Sequence, residues 1–219
     1  MRLQDRLFLQ RESALLDAAR LLFRQQPWDR VTIAEVATQA GIGKGTVYKH
    51  FPSKEALFAR LALDMSRANL NELLALHAAQ PPQQAMRQVI RHHFELMLAD
   101  PILAQLCQHC DRPAFQERLE APYREQFLQL ERDYVDFFGQ LLHDTFDDRA
   151  LTPADCQYLL WGVEACVNGV MARIASGGFE HWAEPIALSD YFDRVSDFII
   201  AGLRGQAANL LCAPSASRE

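Results

Sequence analysis

Residues 41–45 read Gly-Ile-Gly-Lys-Gly, and both flanks of this run are written as helix. Upstream, Thr32-Ile-Ala-Glu35 has the form of a capping box, in which the threonine hydroxyl accepts from the third amide and the glutamate reaches back. A helix is therefore expected from Thr32 to Ala40. Gly41 stops it, because glycine adopts positive φ at little cost. Downstream, a helix is expected over Lys44–His50. Pro52-Ser53 then starts another, with Ser53 as N-cap and Glu55 in the first turn, where negative charge is favoured. Ahead of all these, Leu15, Ala18, Ala19, Leu22 and Phe23 recur at one-face helical spacing, and Pro27 ends that first helix.

Two short helices joined by a glycine-containing turn make a helix-turn-helix, whose second helix enters the DNA major groove while the first braces it. Ile33, Val36, Ala37, Ile42, Val47 and Phe51 can lock the pair together. Lys44, Thr46, Tyr48, Lys49 and His50 are then left pointing outward, each able to donate to phosphate oxygens or base edges. Gly43 and Gly45 remove side chains where the backbone would approach the duplex.

Charge is distributed to match. The chain of 219 residues has a net charge of −6, which by itself does not favour nucleic acid. Residues 1–61, however, hold ten Lys/Arg against six Asp/Glu, and the remainder holds 12 against 22. All three lysines lie between 44 and 54. A local positive footprint is what phosphate binding requires, whatever the total charge.

The stretch VTIAEVATQAGIGKGTVYKHFPSKEALF (31–58) closely resembles the DNA-binding domain of TetR-family transcriptional regulators. In detail the likeness covers about residues 10–60. It implies that Thr32 meets a phosphate from the start of the second helix and that Lys44, Gly45 and Thr46 face the major groove. Tyr48 and His50 would hold phosphates, with Lys49 beside them. Lys54 would hold another phosphate at the N-terminus of the fourth helix. Two positions depart from the family pattern: Gly43 stands where serine is frequent, and Pro27 where glycine is common. The first removes an N-cap hydroxyl and one possible base contact.

The rest of the chain also reads as helix, cut at Gln80-Pro81-Pro82, Asp100-Pro101 and Arg112-Pro113. A long helix is expected from about Pro122 to Thr145. Thr152-Pro153-Ala154-Asp155 opens another, with proline at its first position, and Gly177-Gly178 closes it. Residues 179–189 read as loop, about Asp190 to Arg204 as a last helix, and the remainder as a loose tail. The expected fold is all-α: a helix-turn-helix domain over 1–53, a larger helical effector-binding and dimerisation domain over 54–205, and a tail over 206–219.

Family resemblance implies a homodimer built on the last two helices, and the sequence supports it independently. Between Thr152 and Ser176 one helix face carries Cys156, Leu160, Val163, Val167, Val170, Met171 and Ile174. A second carries the small residues Gly162, Ala165, Cys166, Gly169 and Ala172. A helix apolar on most sides is buried on most sides, either by a partner copy or inside a monomer. Val195, Phe198, Ile199 and Gly202 of the last helix join the expected interface. The family further implies an effector pocket enclosed by the middle helices. Phe94, Met97, Leu98, Phe127, Tyr134, Phe138 and Trp161 are its expected lining, with His93, Glu164 and Asn168 as polar anchors. Such a cavity suits a largely apolar small molecule.

Other classes find little support. No run of about 18 or more apolar residues is present, so neither a membrane span nor a membrane partner is expected. The N-terminus is too charged for a secretory signal, and a cytoplasmic location is expected. Five irregularly spaced cysteines do not form a disulfide framework. Cys107-Gln-His-Cys110 lacks the second pair that structural zinc requires, so no metal or cofactor is expected. No convergent nucleophile or carboxylate pair points to an enzyme. The expected function is a ligand-responsive regulator, a repressor released from a palindromic operator duplex by its effector. The competing reading is an all-helical interaction module without DNA affinity.

Overall fold

The computed structural model describes residues 2–146, 151–176 and 187–212. They form ten helices: α1 (Leu3–Phe23), α2 (Ile33–Gln39), α3 (Lys44–His50), α4 (Lys54–Ala79), α5 (Pro82–Ala99), α6 (Pro101–Cys110), α7 (Pro113–Gln116), α8 (Ala121–Phe146), α9 (Pro153–Ala175) and α10 (Leu188–Cys212). No strand occurs among the described residues. The chain packs as two compact units, one of 1–68 with 100–130, the other of 69–99 with 131–219. Helices α4 and α8 contribute to both.

The first unit is built on the stripe of α1. Leu15, Leu16, Ala18, Ala19, Leu22 and Phe23 are buried. So are Ile33, Val36 and Ala37 of α2, Val47 of α3, Phe51, and Leu57, Phe58 and Leu61 of α4. Each fully buried Leu, Ile or Phe contributes about 1.5–3 kcal/mol from apolar surface removed from water. Phe58 receives Phe23 and Trp28 edge-on at 5.8 and 5.5 Å, a favoured aromatic arrangement. From α6, Cys107 Sγ lies 3.5 Å from Met65 Sδ. Burial pushes the Cys107 thiol up to about 12 and raises that of Cys110 as well. Both are therefore packed as protonated thiols. His109 between them sits against Trp28 and Phe115 at ring distances of 4.7 and 5.1 Å.

In the second unit, α5 packs on α10. Phe94 is fully buried and stacks on Phe192, centroids 4.6 Å apart. Arg91 pairs with Asp193 at 2.7 Å, and Arg87 pairs with Asp197. Asn69 donates to the Tyr134 hydroxyl at 2.8 Å and meets His92 Nε2 at 3.0 Å. Thr152 and Asp155 cap α9 as the sequence indicates.

Helix boundaries differ from expectation at both ends of α1 and both ends of α10. Helix α1 ends at Phe23, before Pro27, with Arg24 as C-cap. It also begins at Leu3, well before its buried stripe. Helix α10 starts at Leu188, where loop was expected, and continues through Cys212 rather than ending at Arg204. The continuation is explained by Leu203 and Ala207, which are buried and keep an inward face past the single Gly205. The expected stop at Gly177-Gly178, residues 179–186 of the expected loop, and 213–219 of the tail lie outside the described residues.

Candidate nucleic-acid interface

The segment from Thr32 to Lys54 is assembled by local chemistry. The Thr32 hydroxyl accepts from the Glu35 amide at 3.2 Å, and the Thr32 amide donates back to Glu35 Oε2 at 2.7 Å. The same hydroxyl also donates to Glu35 Oε2 at 2.8 Å. These two Thr32 bonds, with a third from Gln26, hold the Glu35 carboxyl below the usual carboxylate range. Gly41 has φ +65°, the left-handed value that glycine adopts without strain, and this turns the chain out of α2. Gly43 caps α3 with no side-chain bond, as the missing serine implies. The Ser53 hydroxyl accepts from the Ala56 amide at 3.0 Å to open α4.

Helix α3 is thereby split into two faces. Val47 is fully buried. Lys44, Gly45, Tyr48 and Lys49 are exposed, and Thr46 is half-exposed. A Cβ added at Gly45 would meet nothing within 4 Å, so a ligand could come close to the backbone there. Among the described residues Lys44 and Lys49 form no ion pair, which leaves both ammonium groups available. Their compact charges on flexible stems suit phosphate.

Three expected contact residues are buried or engaged within their own chain. His50 does not face outward. Its side chain is only 2% exposed and turns toward Glu12, Nδ1 lying 4.0 Å from Oε2. Burial lowers its pKa below the ordinary histidine value, with Glu12 opposing and Arg11 reinforcing. The physical reason is register: three residues after Val47, His50 lies on the same inward side of α3. Lys54 sits at the start of α4 as expected, but its ammonium donates to the Asp29 carbonyl at 2.5 Å and lies 5.1 Å over the Phe58 ring. It ties the α1–α2 connection to α4. Thr32 is exposed, yet its hydroxyl and amide are both engaged by Glu35. A group missed in the sequence reading is Glu12, which binds Arg60 at 2.9 Å. Phe8, Glu12, Leu15, Ala19 and Leu22 continue one helical face, and that periodicity was the available signal.

Residues 15–61 match the family described as bacterial regulatory proteins, tetR family. The N-terminal region is therefore similar to the DNA-binding region of the TetR family. Curated relatives agree. The HTH-type transcriptional regulator AcrR of Shigella flexneri is 34% identical over 84 residues, 37% of this chain and 39% of AcrR. The HTH-type transcriptional repressor LfrR of Mycolicibacterium smegmatis is 30% identical over 106 residues, 42% of this chain and 54% of LfrR. The chain thus spans about half the length of these relatives or less. Both are regulators, not enzymes. A solved structure of FadR from Bacillus subtilis in complex with stearoyl-CoA shares the fold, with TM-score 0.61 over 89% of this chain and 98% of that one, at 15% identity.

The TetR-family expectations for the second unit meet a mixed placement. Gly162, Ala165, Gly169 and Ala172 of α9 are exposed and Cys166 is half-buried, so the small-residue face is uncovered within one chain. Trp161 and Tyr158 flank it, also exposed. On α10, Phe198 is 72% exposed and Gly202 is exposed, while Val195 is half-buried. Ile199 is buried within its own chain and is not part of an uncovered face. Of the expected pocket lining, Trp161, Glu164 and Asn168 lie on the exposed surface of α9 and enclose nothing. Their faces follow from helix register with the buried Leu159 and Val167. Phe127 belongs to the first unit. Phe94 is buried and stacked. His93, Met97, Tyr134 and Phe138 are half-buried in the second unit, and burial lowers the His93 pKa, with His92 adding to the effect. Two clefts lie elsewhere: about 310 Å³ between α5 and α10 around Arg87 and Arg204, and about 520 Å³ along residues 23–29 and α6. No helix among the described residues is long and apolar enough to cross a membrane.

Proposed function

We propose that this chain is a dimeric DNA-binding transcriptional regulator, a repressor released from a palindromic operator by a small-molecule effector. The observation that carries the reading is the two-faced α3. Val47 fixes one side in the core, while Lys44, Gly45, Tyr48 and Lys49 stand free on the other. Lys44 and Thr46 read base edges, and Tyr48 and Lys49 hold phosphates beside them. The working division is DNA binding over 1–53 and effector binding with dimerisation over 54–205. Two recognition helices are needed for a palindromic site, and the uncovered small-residue face of α9 with Phe198 of α10 supports pairing between copies.

The effector is a largely apolar molecule held near Phe94, Met97, Tyr134 and Phe138, with His93 as a polar anchor. The stearoyl-CoA in the FadR structure makes long-chain acyl thioesters the first class to test. A duplex selected from a random pool by the wild-type protein, used in a gel shift over a salt series, tests the reading. Retention that weakens steeply with salt is expected. Equal retention of the selected duplex by wild type and the Lys44→Ala/Lys49→Ala double variant would remove α3 as the reading helix. Weakening of the shift by oleoyl-CoA or stearoyl-CoA tests the effector class.

A further inference from the structure

The last residue of α3 is clasped from behind by the N-terminal limb of α1. The Phe8 ring lies 4.0 Å from the His50 imidazole, tilted by 32°. Glu12, one turn further along α1, holds Arg60 of α4 at 2.9 Å and stands 4.0 Å from His50 Nδ1. Arg60 in turn pairs with Asp64 at 2.8 Å. Val47 and His50 are thus the two buried residues of α3, followed by the buried Phe51 at its C-cap. Phe8 and Glu12 precede residues 15–61, which match the family.

We propose that His50 is a positioning residue: clasped by Phe8 and backed by the Glu12–Arg60 pair, its ring sets the orientation of the reading helix and makes no contact with phosphate. The inference rests on the DNA-binding reading of α3. The ring carries the role, and the nitrogens do not. Nδ1 is buried with no hydrogen-bond partner, and 4.0 Å to Glu12 exceeds hydrogen-bond reach. An orphaned buried polar atom contributes nothing that a ring carbon would lose. The charged groups acting on the ring are Glu12 and Arg11 on α1; behind Glu12 stand Arg60 on α4 and the neutral phenol of Tyr123 on α8. Burial outweighs the attraction of Glu12 and keeps the imidazole neutral at neutral pH. A phosphate-binding histidine would instead favour its charged form.

The two roles predict opposite behaviour for His50→Phe. It keeps the ring and removes the nitrogens. Specific affinity for the pool-selected duplex is expected to stay within about threefold of wild type. His50→Ala and Phe8→Ala tilt α3 and are expected to weaken specific binding about tenfold, the scale of one mismatched base pair. Binding to a random duplex and the salt slope should not change, because the exposed lysines remain. NMR titration of the free protein should find His50 below the ordinary histidine range, with cross-relaxation to the Phe8 ring. If His50→Phe loses as much as His50→Ala, with a shallower salt slope, the residue is a phosphate contact and the proposal falls. Equal losses on selected and random duplexes, measured well below each variant's Tm, would mean a general structural role and also overturn it. So would an ordinary or raised His50 titration. Failure of the wild type to retain any duplex would remove the DNA-binding reading itself, and this inference with it.

Discussion

Helices α3 and α9 both leave one face uncovered, and the two faces are chemically opposite. On α3 the free face is Lys44, Gly45, Tyr48 and Lys49; on α9 it is Trp161, Gly162, Ala165, Gly169 and Ala172, with Glu164 and Asn168 at its side. Cations on flexible stems stay solvated until an anion replaces their water. Small residues beside a large aromatic ring gain only when another surface excludes water and approaches closely. The polarity of an uncovered face therefore decides what suits it: phosphate for one, a second apolar helix for the other. Both helices expose glycine, but with different effects. Gly45 brings backbone toward a polar ligand, whereas Gly162 and Gly169 make a shallow path for a helix.

The comparison can be broken most sharply on α9. Ala165→Glu with Gly169→Glu puts two charges on the proposed seam. A complete shift from dimer to monomer is expected in sedimentation velocity with the helical circular-dichroism signal retained, and unfolding stability should lose its dependence on protein concentration. A dimer that survives would move the interface elsewhere. On α3, Lys49→Ala removes one phosphate contact from each of two protomers and should flatten the salt dependence of duplex binding by about two counterions, whereas Lys44→Ala should change the preferred sequence. An unchanged slope in Lys49→Ala would mean that this cation does not meet phosphate. The turn between the helices offers a smaller effect. Gly41→Ala forces a side chain into the left-handed region and should cost about 1–2 kcal/mol in urea unfolding, although the added Cβ meets no neighbour. Thr32→Ala should cost about 1 kcal/mol through loss of the cap.

Acid sharpens the same contrast by a smaller amount. The His50 pKa is lower in the folded protein than in the unfolded chain. Its contribution to stability is therefore fully present above about pH 6.5 and is lost as pH falls through the lower folded value. Unfolding stability measured between pH 7.5 and 5.5 should decline, and His50→Phe should flatten that decline. A pH-independent difference between the two proteins would mean that His50 is not desolvated.

Much of the interface could be read before any coordinates, because its signals are local. The capping pair Thr32 and Glu35, the left-handed Gly41, the bounds of α3 and the Ser53 cap each depend on residues within one or two turns. What escaped were relations between distant residues. His50 follows Tyr48 and Lys49 in an evidently polar run, yet register with Val47 turns it inward onto Phe8. Lys54 occupies the expected helix start, yet a carbonyl 25 residues earlier holds its ammonium. The apolar character of α9 was plain, but assigning Trp161, Glu164 and Asn168 to a pocket required knowing which way that helix faces. Ile199 and Phe198 are neighbours in sequence, and packing separates them into core and surface.

By itself, then, the sequence determined the helices, their caps, the glycine turn and the family of the N-terminal region, since all rest on short-range hydrogen bonding and on backbone freedom at single residues. Only the tertiary structure decided which side of each helix is spent on the core. That choice depends on what α1, α4 and α10 place opposite, and burial of a side chain is settled by its neighbours in space.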